Sequence, residues 1–244
     1  MQGLAKKRAL VTGAGRRVGA MIAEALGAEG MHVGVHYHGS QAGAQATCET
    51  VKRAGGEATA FRADLYQRDE ARALVGAVLD ALGGLDLLVA SAANFDRVAV
   101  DAIEDRHWDR ALDLNLTSPF LLAHGFRDAL RTSGGSIVFV TCTSRLRPYR
   151  DYLPYAVSKA GVHQLMRLLA LELAPEVRVN AVAPGTVLPP PEMTPEEIAR
   201  ARAGIPLGRL GDPADVARAV VYLAQADWVT GEELLVDGGH TLNG

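Results

Sequence analysis

Seven short β-rich segments alternate with six longer stretches of helical pattern along this 244-residue chain, and no other feature narrows its fold as far. The segments at 8–12, 31–36, 58–62, 85–90, 136–141, 177–182 and 234–236 are rich in Val, Leu and Ile, and most are bounded by Gly, Asp or Ser. Between them, 18–29, 42–54, 68–82, 106–131, 154–173 and 213–224 carry apolar residues at helical spacing. Gly30, Gly55 and Gly83 follow three of these helices, where a left-handed residue closes the last turn. Such alternation requires right-handed crossovers and a parallel sheet covered on both faces. Strand 137–140 is apolar throughout, as a doubly covered strand must be. The expected fold is α/β, a single domain over 1–244 built on a doubly wound parallel seven-stranded sheet with helices on both faces. The hydrophobic content of 48% is enough for its core.

One stretch, 184–195, holds five prolines and is expected to be irregular. A loop there, about 184–205, lies near the carboxyl ends of the strands and suits a substrate lid. The net charge of -3 gives no electrostatic reason to expect nucleic acid or an anionic membrane as partner. No run approaches the ~18 apolar residues of a membrane span. The start, 1–8, has no apolar leader pattern, and the two cysteines, Cys48 and Cys142, are far apart. The expectation is a soluble, cytoplasmic protein with reduced thiols.

The first strand leads into Thr12-Gly13-Ala14-Gly15-Arg16-Arg17-Val18-Gly19 and then a helix. Glycines there allow a tight turn and a close approach of backbone N–H groups to a pyrophosphate, and the helix N-terminus adds partial positive charge. At a first strand–helix junction this reads as a Rossmann-type dinucleotide site. A site preferring NAD usually ends its second strand with an acidic residue on the ribose 2′-hydroxyl. Here the chain reads His36-Tyr37-His38-Gly39-Ser40, without a carboxylate. His38, Ser40 and Arg16 or Arg17 would suit a 2′-phosphate, so NADP(H) is the expected cofactor. His36 and His38 as a metal pair lack a further clustered ligand, and no metal is expected.

Tyr155 and Lys159 open the helical pattern after the fifth strand, four residues apart and so on one helical face. A tyrosine that exchanges a proton near neutrality must be shifted from its free pKa of ~10. An ammonium about 4 Å away contributes up to ~4 kcal/mol at an effective dielectric near 20, equivalent to ~3 pKa units. Lys159 is therefore expected to lower the Tyr155 pKa.

Together with Asp64-Leu65, Asn115 in Leu114-Asn115-Leu116, Val179-Asn180 before Pro184-Gly185, and Thr230-Gly231 to Val236-Asp237-Gly238-Gly239, these motifs resemble the short-chain dehydrogenase/reductase family over essentially the whole chain. The resemblance implies roles. Gly13, Gly15, Arg16, Arg17, Val18 and Gly19 would hold phosphates, and Asp64 and Leu65 would contact the adenine. Ala90, Ser91 and Ala92 would wall the cofactor cleft, and Pro184, Gly185 and Thr186 would lie beside the nicotinamide. Asn115 would hold a water linked to Lys159. Lys159 would also bind the nicotinamide ribose, and Tyr155 would be the general acid. A homotetramer is implied, consistent with apolar residues such as Leu165, Met166, Leu168, Leu169 and Leu171 around more than one helix face.

Three details are similar to the pteridine reductase subgroup: Arg16-Arg17, the His36–Ser40 run, and Phe95 after the fourth strand, where that subgroup stacks an aromatic ring on the pterin. Arg17 would then bridge cofactor phosphate and pterin. Two details depart. Cys142 stands thirteen residues before Tyr155, where the family has serine and the subgroup aspartate, and a thiol is a weak donor. Ala90-Ser91-Ala92-Ala93 replaces the family's paired asparagines and Ala-Gly, with Ser91 expected to take part of their role. The leading reading is an NADPH-dependent reductase of C=N or C=O groups, with a small-molecule pteridine substrate. Its substrate-binding residues would be Arg17, Phe95, Cys142 and Tyr155. The alternatives are a 3-oxoacyl thioester or other carbonyl reductase, for which Arg145, Arg147 and Arg150 could attract an anion although they read first as a solvated surface, and an NADP-binding scaffold or redox sensor.

Overall fold

The computed structural model describes residues 3–189 and 193–243. Seven parallel strands form one sheet in the order β3-β2-β1-β4-β5-β6-β7. They are β1 (Arg8–Val11), β2 (His32–Tyr37), β3 (Glu57–Arg62), β4 (Leu87–Ala90), β5 (Ser136–Val140), β6 (Arg178–Pro184) and β7 (Glu233–Val236). The helices are α1 (Arg17–Ala28), α2 (Gln41–Arg53), α3 (Arg68–Leu82), α4 (Asp105–Leu112), α5 (Ser118–Ser133), α6 (Leu153–Glu172), α7 (Pro195–Ala203) and α8 (Pro213–Gln225). The strand order reverses between β1 and β4, which opens a crevice at their carboxyl ends.

Alternation within the strands divides the core in two. Ala9, Val11, Leu87, Val89, Val138, Val140 and Val182 point to one face, where α1, α2 and α8 cover them with Ile22, Leu26, Val51 and Val220. Leu10, Leu88, Ile137, Phe139 and Val179 point to the other, under α3, α5 and α6 with Val78, Phe126, Val162 and Met166. The expected doubly covered parallel sheet is present. Gly30, Gly55 and Gly83 all adopt positive φ after their helices.

Two expected elements differ. The single helix expected at 106–131 is interrupted by a π-helical turn over Asp113–Thr117. Pro119 has no N–H to offer the carbonyl of Asn115, four residues earlier, so the α-helical ladder cannot run through this point. The expected irregular stretch at 184–195 also ends differently: Pro184 closes β6 and Pro195 begins α7. Thr194 Oγ1 accepts the Glu197 N–H while Glu197 Oε2 accepts the Thr194 N–H, a capping box that makes proline favourable at the first helical position. The remainder of the expected lid includes residues 190–192, outside the described ones.

Candidate active site

The turn between β1 and α1 sits at the mouth of the crevice. Gly13 has φ +67, and a Cβ there would lie 3.0 Å from the Ala92 Cα; a Cβ on Gly19 would lie 2.4 Å from the Gly13 carbonyl oxygen. Backbone passes backbone too closely for any side chain, which fixes both positions as glycine. Thr12 Oγ1 accepts the N–H groups of Ser91 and Ala92 at 2.9 and 3.0 Å, joining the turn to the end of β4. The Gly13 N–H donates to His36 Nδ1 at 3.1 Å, so the ring proton sits on Nε2 and is donated to the Ala63 carbonyl at 3.1 Å. Burial pushes the His36 pKa down to about 4, which keeps the ring neutral and this tautomer in place. The Ser40 hydroxyl donates to the Gly15 carbonyl at 3.2 Å. The turn meets a 12-residue helix with no acidic residue in its first turn and with Arg16 and Arg17 exposed. These residues fit a pyrophosphate: a backbone cradle that a Cβ would fill, at a positive helix end.

Across the crevice, Tyr155 and Lys159 occupy the first turns of α6, 9% and 4% exposed. Lys159 Nζ donates to the Val140 carbonyl at 2.7 Å, tying α6 to the end of β5. Asn115, in the π turn, is fully buried; its Nδ2 donates to Asn94 Oδ1 at 2.9 Å and Ser158 Oγ at 3.0 Å, and its Oδ1 accepts the Asn94 N–H at 3.0 Å. Ser158 in turn donates to the Tyr155 carbonyl at 2.7 Å. The cleft wall is aromatic: Phe95 stacks on Tyr152 with centroids 4.2 Å apart and meets Tyr155 edge-on at 4.6 Å. Burial, then the neighbouring Cys142, raises the Tyr155 pKa well above its ordinary value, so its hydroxyl keeps its proton. A protected acid beside an ammonium, under a dinucleotide cradle, is equipped for proton-coupled hydride chemistry.

A family model described as enoyl-(acyl carrier protein) reductase matches residues 13–241. The chain belongs to the short-chain dehydrogenase/reductase family. This short-chain dehydrogenase/reductase is 38% identical to 3beta-hydroxysteroid dehydrogenase 1 of Eggerthella lenta, over 97% of this chain and 94% of that one. It is 34% identical to the 3-oxoacyl-(acyl-carrier-protein) reductase FabG of Staphylococcus aureus, over 96% and 97%. Among solved structures, FolM alternative dihydrofolate reductase 1 from Brucella canis complexed with NADP superposes with a TM-score of 0.91 at 33% identity, covering 98% of this chain and 96% of that one. Three substrate classes at such similar identity leave the substrate to be argued from the site.

Several expectations for this short-chain dehydrogenase/reductase need correction. The net shift of Tyr155 is upward, not downward: burial sets its direction, and Lys159 Nζ donates to the Val140 carbonyl. The Asn115 side chain is spent on Asn94 and Ser158, so it braces the π turn, and any water would have to be held by backbone. Ser91 contributes its N–H, not its hydroxyl, to the joint with Thr12. The Leu65 side chain is buried in the core under α3, which leaves only its backbone for an adenine. Arg17 Nη2 donates to the Leu188 carbonyl at 3.1 Å, joining the glycine turn to the segment after β6. Arg145 pairs with Glu233, whose carboxylate also accepts from Thr141 at 2.6 Å, and Arg147 donates to the His240 carbonyl, so neither arginine awaits an anion. His38 lies 3.3 Å from Asp64.

Thr12, His36, Asn94, Tyr149 and Tyr152 were not singled out as site residues in the sequence. Pro119 marks the π turn, and the threonine beside Gly13 was a usable signal, but nothing local announces Asn94 or Tyr149. Among the described residues no group of three or more His, Cys, Asp or Glu is placed to hold a metal. Among the described residues no helix is long and apolar enough to cross a membrane. A cavity of about 550 Å³ lies between β7 and residues 206–211, with Thr186 among its walls. It is not the site of the chemistry, because Tyr155 is not among its walls.

Burial lowers the Lys159 pKa from 10.5 to about 8. Below pH 8 folded and unfolded chains both carry this proton. Between pH 8 and 10.5 the folded chain has lost it and the unfolded chain has not, so the Lys159 contribution to stability rises with pH there, by up to about 3 kcal/mol. Urea unfolding on either side of pH 8 should show this gain in the parent and not in Lys159→Met. Equal gains in both proteins would place the titration elsewhere.

Proposed function

We propose that the chain is an NADPH-dependent reductase acting on a C=N or C=O group, with a pteridine of the dihydrobiopterin or dihydrofolate kind favoured. The observation that carries this reading is the Tyr155 phenol, held neutral by burial and in edge contact with the Phe95 ring at the glycine-turn crevice. Gly13, Gly15, Arg16, Arg17, Val18 and Gly19 would hold the pyrophosphate, and His38, Ser40 and Arg16 the 2′-phosphate. Asp64 and Leu65 would face the adenine. Ala90, Ser91 and Ala92, with Pro184, Gly185 and Thr186, would line the rest of the cofactor cleft. Bound NADPH supplies the hydride. Tyr155 gives its proton to the atom beside the carbon being reduced, Lys159 supplies the positive charge that stabilises the resulting phenolate, and the Asn94–Asn115–Ser158 network holds the first turn of α6 in place. Phe95, 40% exposed and backed by Tyr152, presents a flat apolar wall that suits a planar heterocycle.

Initial rates with NADPH and NADH on dihydrobiopterin, dihydrofolate and an acetoacetyl thioester test the reading. Charge-assisted bonds to a 2′-phosphate, each worth about 1.5–3 kcal/mol, should give NADPH at least a roughly tenfold advantage in kcat/KM. Equal rates with NADH would remove the 2′-phosphate site. A higher kcat/KM on the thioester would move the substrate to the 3-oxoacyl class of the Staphylococcus aureus relative. Assembly as a homotetramer is supported by the exposed Phe120, Val157, Leu168 and Leu171 on α5 and α6, with Leu171 78% exposed, and is read by light scattering as four chains of 25.8 kDa. Met166, by contrast, is fully buried in the monomer core. Two unpaired, buried cysteines support the cytoplasmic setting.

A further inference from the structure

The active cleft contains one oxygen acid, the Tyr155 phenol, and beside it a poor hydrogen-bond donor. Cys142 Sγ accepts the Ser144 N–H at 3.4 Å, and a thiol donates weakly in any case. Reduction of a C=O or C=N group develops negative charge on the heteroatom, and a second aimed donor there is usually a large part of catalysis. A second hydroxyl is present in the fold. Tyr149, on the loop between β5 and α6, places its OH 3.8 Å from Cys142 Sγ and 2.8 Å from Thr143 Oγ1. Its ring packs edge-on to Tyr152, centroids 6.2 Å apart, and Tyr152 stacks on Phe95, so Tyr149 belongs to the same aromatic wall as the substrate platform. The Thr143 side chain is buried, so it holds the phenol in one place. Either oxygen of the Thr143–Tyr149 pair can be the donor; when Thr143 donates, the Tyr149 proton is left for a ligand.

We propose that Tyr149 is a further catalytic residue, donating a hydrogen bond to the same substrate heteroatom that Tyr155 protonates, with Thr143 as the positioning residue. The proposal rests on the reductase reading above. No bond to Tyr149 forms or breaks; its proton remains on its oxygen throughout, and the proton consumed comes from Tyr155. Burial, then the nearby Cys142, raises the Tyr149 pKa well above its ordinary value, so the group stays a donor near neutral pH. This arrangement also accounts for a cysteine at 142: with the phenol supplying the donor, the sulfur need only fill the space between the two tyrosines.

The test is steady-state turnover of the intact protein with NADPH and whichever panel substrate the parent reduces, alongside NADPH binding by fluorescence titration. Tyr149→Phe should lower kcat roughly 100-fold, the size of losing one oxyanion donor, with NADPH affinity unchanged. Adding Cys142→Ser to that variant puts a hydroxyl within reach and should recover at least about tenfold of the loss. Thr143→Val should lower kcat and Thr143→Ser restore it. A Tyr149→Phe protein with parental kcat would overturn the proposal while leaving the reductase reading intact. Loss of activity with no recovery from the serine at 142 would also overturn it, because a merely structural tyrosine is not replaced by a hydroxyl seven residues away. A parent inert on every substrate would sink the reductase reading and this proposal with it.

Discussion

Tyr155→Phe is expected to cut kcat by roughly 1,000-fold at saturating NADPH, within the range that a positioned proton donor supplies. The ring remains, so the edge contact with Phe95 and the fit of α6 against the crevice remain. Only the hydroxyl is lost, and it is a buried group whose neutral form is enforced by desolvation. Removing it leaves Cys142 without one weak partner and exposes no buried charge. The melting temperature should therefore stay level or rise, and NADPH should bind as before. A dead enzyme with an intact nucleotide site separates proton transfer from binding. A variant that also loses its nucleotide would show that the phenol is a structural part of the cofactor cleft.

Gly19→Ala is expected to weaken NADPH binding by roughly 100-fold, as a misplacement approaching 1 Å can. Ordinarily alanine in place of a helical glycine gains up to about 1 kcal/mol in helix propensity. Here the new Cβ would sit 2.4 Å from the Gly13 carbonyl oxygen, a backbone atom that cannot rotate aside. Overpacking of this kind costs about 1–3 kcal/mol and wins over the propensity gain. The strain falls on Gly13, whose N–H is bonded to His36 and whose Cα lies against Ala92, so the whole phosphate cradle shifts. Gly76 in α3 is the control. A Cβ there meets nothing within 4 Å, so Gly76→Ala should raise stability by about 0.5–1 kcal/mol and leave NADPH binding alone. Thermal unfolding and NADPH titration of the two variants decide between a general effect of adding a methyl group and a specific one at the turn.

The sheet was legible in the sequence because each strand and helix carries its own period, and α/β alternation leaves few ways to connect them. The glycine turn was legible for a similar reason: backbone crowding admits only glycine, and that restriction is written in the residue. What was not legible came from contacts between segments remote in sequence. Asn94 and Asn115 are 21 residues apart, and Arg145 and Glu233 are 88 apart, so no local pattern foretells either pairing. The three arginines after Cys142 read first as a solvated surface because their charge was visible and the Glu233 that engages Arg145 was not. The pKa of Tyr155 was misjudged on the same ground. A spacing of four states that Lys159 shares its helical face; it says nothing about the depth of burial or about the Val140 carbonyl that holds the ammonium. Helix α7 is a different case. Its Thr194-Pro195-Glu196-Glu197 start is a readable capping signal that the neighbouring prolines obscured.

The most direct measurement is NADPH occupancy and NADPH oxidation on the same samples of parent and Tyr155→Phe, with dihydrobiopterin as acceptor. Full occupancy in both proteins, steady oxidation by the parent and almost none by the variant is the result expected of a phenol that hands its proton to the substrate. Oxidation by the variant at the parental rate would contradict that role outright.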